Sequence, residues 1–153
     1  KFTKPRYVGL QRGEIPAIAT PDGKATVHLI AGEWSGHKGP IESLTGVFMS
    51  TVELAAGGRV SFPGVKERNV FLYIVRGRVA IAGVEAPEHS LAELDREGDI
   101  VEIEAAGAAT LVFGHAQALD EAVVAHGPFV MNTEREIHEA IADYQAGKFG
   151  PLG

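Results

Sequence analysis

The stretch GPFVMNTEREIHEAIADYQAGKFG, from Gly127 to Gly150, predicts a capped amphipathic helix near the end of the chain. Thr133 and Glu136 have the spacing of a capping box, in which the hydroxyl accepts from the amide three residues on and the carboxylate reaches back. Gly147 and Pro151 provide the stop. Apolar residues recur on one helical face at Ile137, Ala140, Ile141 and Tyr144. This apolar stripe must therefore pack on something.

The segment ahead of that helix is unusual because loops are normally polar surface segments. Three apolar residues follow Pro128 in succession, and we expect them to be buried against the domain's own core or against a partner. A hydrophobic lead-in that staples the helix is the simpler interpretation. The alternative is a contact surface, for which the candidate residues are Phe129, Val130, Met131, Ile137, Ile141 and Tyr144.

Composition limits the classes of function. The 153 residues are most simply one domain, long enough to bury roughly 68–70% of the unfolded surface. A net charge of −6 argues against a broad nucleic-acid footprint, which needs a clustered basic face. The chain has no cysteine, which excludes disulfides and thiolate ligands. No run has the length of a membrane span and no signal-peptide pattern is present, so we expect a cytoplasmic protein that contacts no membrane.

Short apolar or alternating runs, separated by glycine turns, predict an antiparallel sandwich or barrel. The loop that contains Trp34 lacks a phosphate-binding pattern, and we expect the indole to be packed. Residues 85–94 are interpreted as a long polar connection. The predicted strands are 25–30, 47–54, 69–75, 78–82, 100–104, 110–113 and 122–124. Residues 69–75 are too apolar for a sheet that faces solvent.

Several stretches together resemble a known family. GPFVMNT, followed by EI, a helix and YQ-x-GKFG, resembles the signature that ends the C-terminal half of the pirin family, within the cupin superfamily. PRY at Pro5–Tyr7, the loop AGEWSGHKGP and FLYIVRGRV are also similar to pirin segments. The resemblance implies an all-β, cupin-like antiparallel barrel or sandwich with a C-terminal α-helix. Residues 1–16 are then a linker or arm from a missing upstream domain, and residues 17–153 are the cupin-like domain.

A cupin metal site needs a His-x-His pair and a Glu from one motif and a His from another, so that three imidazoles and a carboxylate meet one divalent ion. Lysine and arginine do not ligate metals at neutral pH. Here Tyr73 or its neighbours occupy the Glu region, and Thr110 stands near the second-motif His. The His-x-His region holds Lys66, Glu67, Arg68 and Asn69. We therefore expect no metal and no cofactor in this domain. The resemblance implies that iron is carried by the N-terminal barrel of the family.

Other side chains could assemble a site only by convergence in the fold. His115 and His126, with two acidic residues between them, form the best residual metal cluster, although a half-buried, hydrogen-bonded role is commoner for histidine. Glu102 and Glu104 share a strand face, where a cavity-facing pair could do acid–base chemistry and an outward pair is solvated.

Three functions follow as hypotheses. In the first, the chain is the structural and interaction half of a two-barrel pirin-like protein. The metal and any quercetin 2,3-dioxygenase-like activity then belong to the other half. In the second, it is a stand-alone interaction domain, similar to a transcription cofactor, or a small-molecule-binding domain. In the third, it is a metal-independent cupin enzyme with Tyr73, a histidine and a carboxylate in a cavity. The expected partner is a missing N-terminal cupin domain or a second copy of the chain.

Overall fold

Strands dominate the computed structural model, which describes Thr3 and residues 6–150. Pro151 of the predicted helix stop and part of the predicted arm, Pro5 included, lie outside that part. The chain divides into two compact units, Lys1–Ala118 and Leu119–Gly153. The first contains a 3-10 turn η1 (Arg12–Glu14) and the strands β1 (Ala17–Ala19), β2 (Ala25–Ala31), β3 (Glu33–Trp34), β4 (His37–Lys38), β5 (Phe48–Leu54), β6 (Gly58–Pro63), β7 (Arg68–Arg76), β8 (Arg78–Ile81), β9 (Val84–Pro87), β10 (Leu91–Leu94), β11 (Ile100–Ala105) and β12 (Ala109–Gln117). The second contains β13 (Val124–His126), β14 (Phe129–Met131) and α1 (Glu134–Gln145).

Period-two alternation explains most strands of the first unit, because successive side chains point to opposite faces. In β2 and β5 every second residue is buried, as the apolar pattern requires. In β11, Val101 and Ile103 are buried while Ile100, Glu102 and Glu104 are exposed. The two faces predicted for β11 are confirmed.

The strands form two antiparallel sheets that share one apolar core. The larger sheet has six strands in the order β1-β2-β5-β12-β7-β10, and the smaller has four in the order β6-β11-β8-β9. One cluster of buried side chains contains residues of both sheets. Among the described residues the sheets form a sandwich and do not join into a closed barrel. The predicted all-β antiparallel sandwich with one C-terminal helix is confirmed.

Aromatic rings fill the middle of this core. The rings of Phe62 and Phe113 stack with centroids 4.0 Å apart. Phe48 meets both rings edge-on at 5.7 Å. Leu72 and Ile103 beside them are no more than 1% exposed. Burial of each such side chain stabilises the fold by about 1.5–3 kcal/mol. The space between the two sheets is therefore a packed apolar core.

The interpretation of residues 85–94 as a polar connection is wrong. β9 pairs with β8 as a hairpin, and β10 pairs with β7 at the end of the larger sheet. Both are edge strands, where charged outward residues are usual. The inward positions of these strands include the small residues Ala86 and Ala92, so the apolar alternation is weak in the sequence.

The second unit contains the predicted helix and an unpredicted hairpin. Thr133 Oγ1 accepts from the Glu136 amide at 3.2 Å, and Glu136 Oε2 accepts from the Thr133 amide at 3.0 Å, so the capping box is confirmed. The apolar stretch Phe129–Met131 is strand β14 rather than a loop, and it pairs with β13 around Gly127, whose φ is +55°. The strand predicted at 122–124 begins two residues later. None of the described helices combines the length and the apolar character needed to cross a bilayer.

Candidate functional site

The positions where a cupin would place its metal ligands do not converge here. Lys66 and Glu67 lie in an exposed turn before β7. Asn69 Oδ1 accepts a hydrogen bond from Arg96 Nε at 2.9 Å on the surface. Tyr73 is 38% exposed and lies on the face of β7 opposite the core. Across Thr3 and residues 6–150, no three His, Asp or Glu side chains are grouped so that they could hold a metal ion. The residues present do not fit the metal that a cupin ligand set would hold.

Arg68 has a role that sequence analysis missed. Its Nε donates to His115 Nδ1 at 2.6 Å, and its terminal nitrogen donates to the Gly46 carbonyl at 2.6 Å. The pairing of β7 with β12 creates this contact, because it aligns Val70 with His115 two residues from Arg68. Arg68 and His115 are 47 positions apart in the sequence, so no local pattern could have indicated the pair.

The contact with Arg68 fixes the chemical state of His115. Burial, and then the positive charge of Arg68, lower the pKa of His115 from 6.5 to about 4. Because Nδ1 accepts from a guanidinium that cannot lose its proton, the ring proton lies on Nε2. The imidazole also stacks on Phe48 at 4.8 Å, with 4° between the planes. At neutral pH His115 is therefore an uncharged, packed side chain with one available N–H.

The remaining histidine and carboxylate candidates lie on surfaces. His126 is exposed in the β13–β14 hairpin of the second unit, whereas His115 belongs to the first. Glu102 and Glu104 lie on the outer face of the smaller sheet, where Arg59 pairs with Glu104 at 2.8 Å. Both carboxylates are exposed to solvent on this face, where they line a surface groove.

A groove of about 630 Å³ runs along this outer face, beside the β3–β4 hairpin. Trp34 borders it without being free to move. The indole Nε1 donates to the Ser61 carbonyl at 3.0 Å, and the ring lies 5.7 Å from Phe62. The packing expected for Trp34 is confirmed, since the ring belongs to the half-buried shell of the core.

The proposed contact residues of the second unit differ in accessibility. Val130 is 61% exposed and Tyr144 is 62% exposed. Phe129, Met131 and Ile141 are half-buried, and Ile137 is buried and so cannot be part of an exposed surface. The Tyr144 ring lies 6.1 Å from Phe129 and 6.2 Å from Phe149, which is 63% exposed. These three rings form an aromatic cluster that the sequence predicted only in part.

Comparison with known proteins agrees with this geometry. A family model described as the pirin C-terminal cupin domain matches residues 49–150. Pirin from Rattus norvegicus is 36% identical over 156 residues, which include 98% of this chain and 53% of that protein. A pirin-like protein from Solanum lycopersicum is 35% identical over 154 residues, with 98% of this chain and 52% of that protein covered. The chain spans about half the length of the curated relatives it matches.

A solved structure gives the same result for the fold. The crystal structure of quercetin 2,3-dioxygenase from Acinetobacter baumannii superposes with a TM-score of 0.90 and 28% identity. The match covers 100% of this chain and 54% of that one. The fold of this chain is therefore also found in a protein about twice as long.

Proposed function

Because the chain belongs to the pirin family as a C-terminal cupin domain, we propose that it is the metal-free half of a longer two-barrel protein. In this proposal the other half holds a single iron-type metal and carries any quercetin 2,3-dioxygenase-like activity. This half supplies stability and contact surface. The proposal follows from the share of each relative that the chain covers, about half, and from the chemistry of the cupin ligand positions.

The hydrogen bond between Arg68 and His115 is the observation that carries the proposal. Arg68 stands in the stretch where a cupin has its paired histidines, and its guanidinium holds the Nδ1 lone pair of His115. A cation brought to this imidazole would meet a fixed positive charge at close range. Ligation through Nε2 would require that nitrogen to lose its proton and His115 to give up its hydrogen bond to Arg68. This arrangement favours a scaffold over a metal centre.

Elemental analysis tests the proposal. The purified chain and the longer protein in which it is the C-terminal half are each loaded with Fe²⁺, dialysed and analysed for bound iron and for oxygen consumption with quercetin. We expect iron and any activity in the longer protein, and neither in the chain of 153 residues. Iron retained by the isolated chain would contradict the proposal, and its loss in His115→Phe but not in His126→Phe would assign it to His115. So would a longer protein that lacks a His-x-His, Glu and His set in its other half.

A second function, protein interaction through the second unit, is favoured by its aromatic cluster. Val130, Tyr144 and Phe149 are more than half exposed, and exposed apolar groups are common in interaction sites. Sedimentation of the chain across a range of concentrations tests self-association. We expect a dimer that Tyr144→Glu weakens. Leu119→Glu is the matched control, since Leu119 is 64% exposed in the same unit and is not one of the rings of the cluster. A monomer at all concentrations argues against a second copy as the partner of this surface.

A further inference from the structure

Strand β7 is apolar on both of its faces. Val70, Leu72 and Ile74 point into the core and are no more than 5% exposed. The residues that alternate with them, Phe71, Tyr73 and Val75, point to the opposite face of the larger sheet. A strand of an antiparallel sheet with one solvated face normally alternates apolar with polar residues, whereas a continuous apolar run is typical of strands covered on both faces.

The neighbouring strands extend this apolar surface. Leu91 of β10 and Val112 of β12 both pair with Tyr73, and therefore share its face. Tyr73 is 38% exposed, Val75 41% and Leu91 58%. We define the apolar sheet face as Met49, Phe71, Tyr73, Val75, Leu91 and Val112.

Gly114 lets two apolar side chains of the apolar sheet face lie close together. It lies in β12 directly between Phe71 of β7 and Met49 of β5. A Cβ atom at this position would lie 2.5 Å from the Phe71 ring and 3.4 Å from the Met49 sulfur. Both side chains therefore lie across the glycine. A continuous apolar sheet surface suits the face-to-face packing of another sheet, in which side chains interdigitate at a spacing of about 10 Å.

Polar groups surround the apolar sheet face. Glu93 pairs with Phe71 at one side, and Thr51 pairs with Val112 at the other. Arg76 follows Val75 at the strand end. An uncharged centre with a polar rim is the anatomy of a protein interface. A contiguous apolar patch is unfavourable in water, and on soluble proteins such patches mark contact sites.

We propose that the apolar sheet face binds the other half of a pirin-length protein, through an uncharged apolar sheet of that half. The inference rests on the proposed function and adds to it the surface on which the two halves meet. The relatives are about twice as long as the part that this chain matches, so each contains a further half of similar length. That half is large enough to cover the apolar sheet face, and it stays close because it belongs to the same polypeptide. Within one polypeptide, a high effective concentration keeps such a contact closed.

Side-chain labelling by hydroxyl radicals tests this assignment in the isolated chain and in the longer protein. We expect Tyr73 and Leu91 to be labelled at least about tenfold more slowly in the longer protein, which corresponds to about 1.4 kcal/mol of protection. Val84 is the internal control, because it is 72% exposed on β9 of the smaller sheet. Equal labelling of Tyr73 in the two proteins overturns the proposal, and so does a gene that encodes no other half.

Two matched variants separate contact from folding. Leu91→Lys and Val84→Lys each place a lysine at an exposed edge-strand position. In the isolated chain both variants should unfold at the temperature of the parent. In the longer protein, Leu91→Lys should split a single unfolding transition into two or speed proteolysis between the halves, whereas Val84→Lys should do neither. Equal behaviour of the two lysine variants in the longer protein overturns the proposal.

Two further measurements separate the alternatives. If the isolated chain forms a dimer in which Tyr73 and Leu91 are already protected, with no further protection in the longer protein, the occupant is a second copy and the proposal is overturned. Iron content is measured in the same samples. Iron in the isolated chain refutes the proposed function alone, and unprotected Tyr73 in an iron-loaded longer protein refutes the apolar sheet face as contact alone.

Discussion

Replacing Arg68 by methionine should free His115 to titrate. The substitution removes the charge and the 2.6 Å hydrogen bond to Nδ1 while retaining an unbranched side chain. The pKa of His115, which burial and Arg68 lower from 6.5 to about 4, should rise. It should remain below 6.5, because burial is the larger cause and the ring still stacks on Phe48.

The same contact makes the free energy of unfolding depend on pH. Between pH 6.5 and about 4 the unfolded chain binds a proton at His115 that the folded chain does not, so the contribution of His115 to stability falls as the pH is lowered through this window and does not change further below it. At about 1.4 kcal/mol per pKa unit the full effect would be roughly 3 kcal/mol. His115 is only half-buried, and solvent screening reduces the expected contribution to about 1–2 kcal/mol.

NMR titration of the His115 ring protons and urea unfolding between pH 4 and 7.5 provide the assay. Arg78→Met is the control, because Arg78 pairs with Glu85 at 3.2 Å on an exposed strand and does not contact the imidazole. The pH-dependent part of the difference between the parent and His115→Phe isolates this histidine from the carboxylates. A His115 pKa above 6 in the parent, or an unchanged value in Arg68→Met, would refute the reasoning.

Three further predictions concern the scaffold and use urea unfolding as the measurement. Gly77→Ala should cost about 3 kcal/mol or more and Gly83→Ala only about 1–2 kcal/mol. Both glycines have φ near +82°, but only at Gly77 would a Cβ collide with a backbone oxygen, that of Ala108; equal losses would contradict this contact. Phe113→Ala should cost about 3–5 kcal/mol, since the ring is fully buried, and a loss within error of Val84→Ala would contradict a filled interior. Thr133→Ala should lower the free energy of unfolding by about 1 kcal/mol, because it removes the helix cap. The protection of the Glu136 amide from exchange should be lost as well, and a variant as stable as the parent would contradict a role for the cap.

Local signals were sufficient for some elements. The capping box and the two faces of β11 follow from spacing within a few residues, and the structure has both. Edge strands were missed where the inward positions are small, as at Ala86 and Ala92. The apolar run of β7 was recognised as unsuited to solvent, yet which of its faces is covered depends on the pairing of the whole sheet.

For the candidate site, the sequence could show which cupin ligands are missing, but it could not show which side chains meet in the fold. The residue types at 66–69 exclude a cupin ligand set from the sequence alone. Strand register decides that Arg68 reaches His115, and register depends on long-range pairing that spacing does not encode. The location of Tyr73 on the outer face is also a matter of register, and it keeps the phenol out of the interior of the sandwich.

The indole at the edge of the smaller sheet has a practical consequence. The chain has one tryptophan, so all of its intrinsic emission at long wavelength comes from Trp34. Its ring is fixed between the Ser61 carbonyl and Phe62. Any event that separates the β3–β4 hairpin from strand β6 should shift the fluorescence of Trp34 to the red. The emission wavelength therefore reports whether this part of the sandwich is intact.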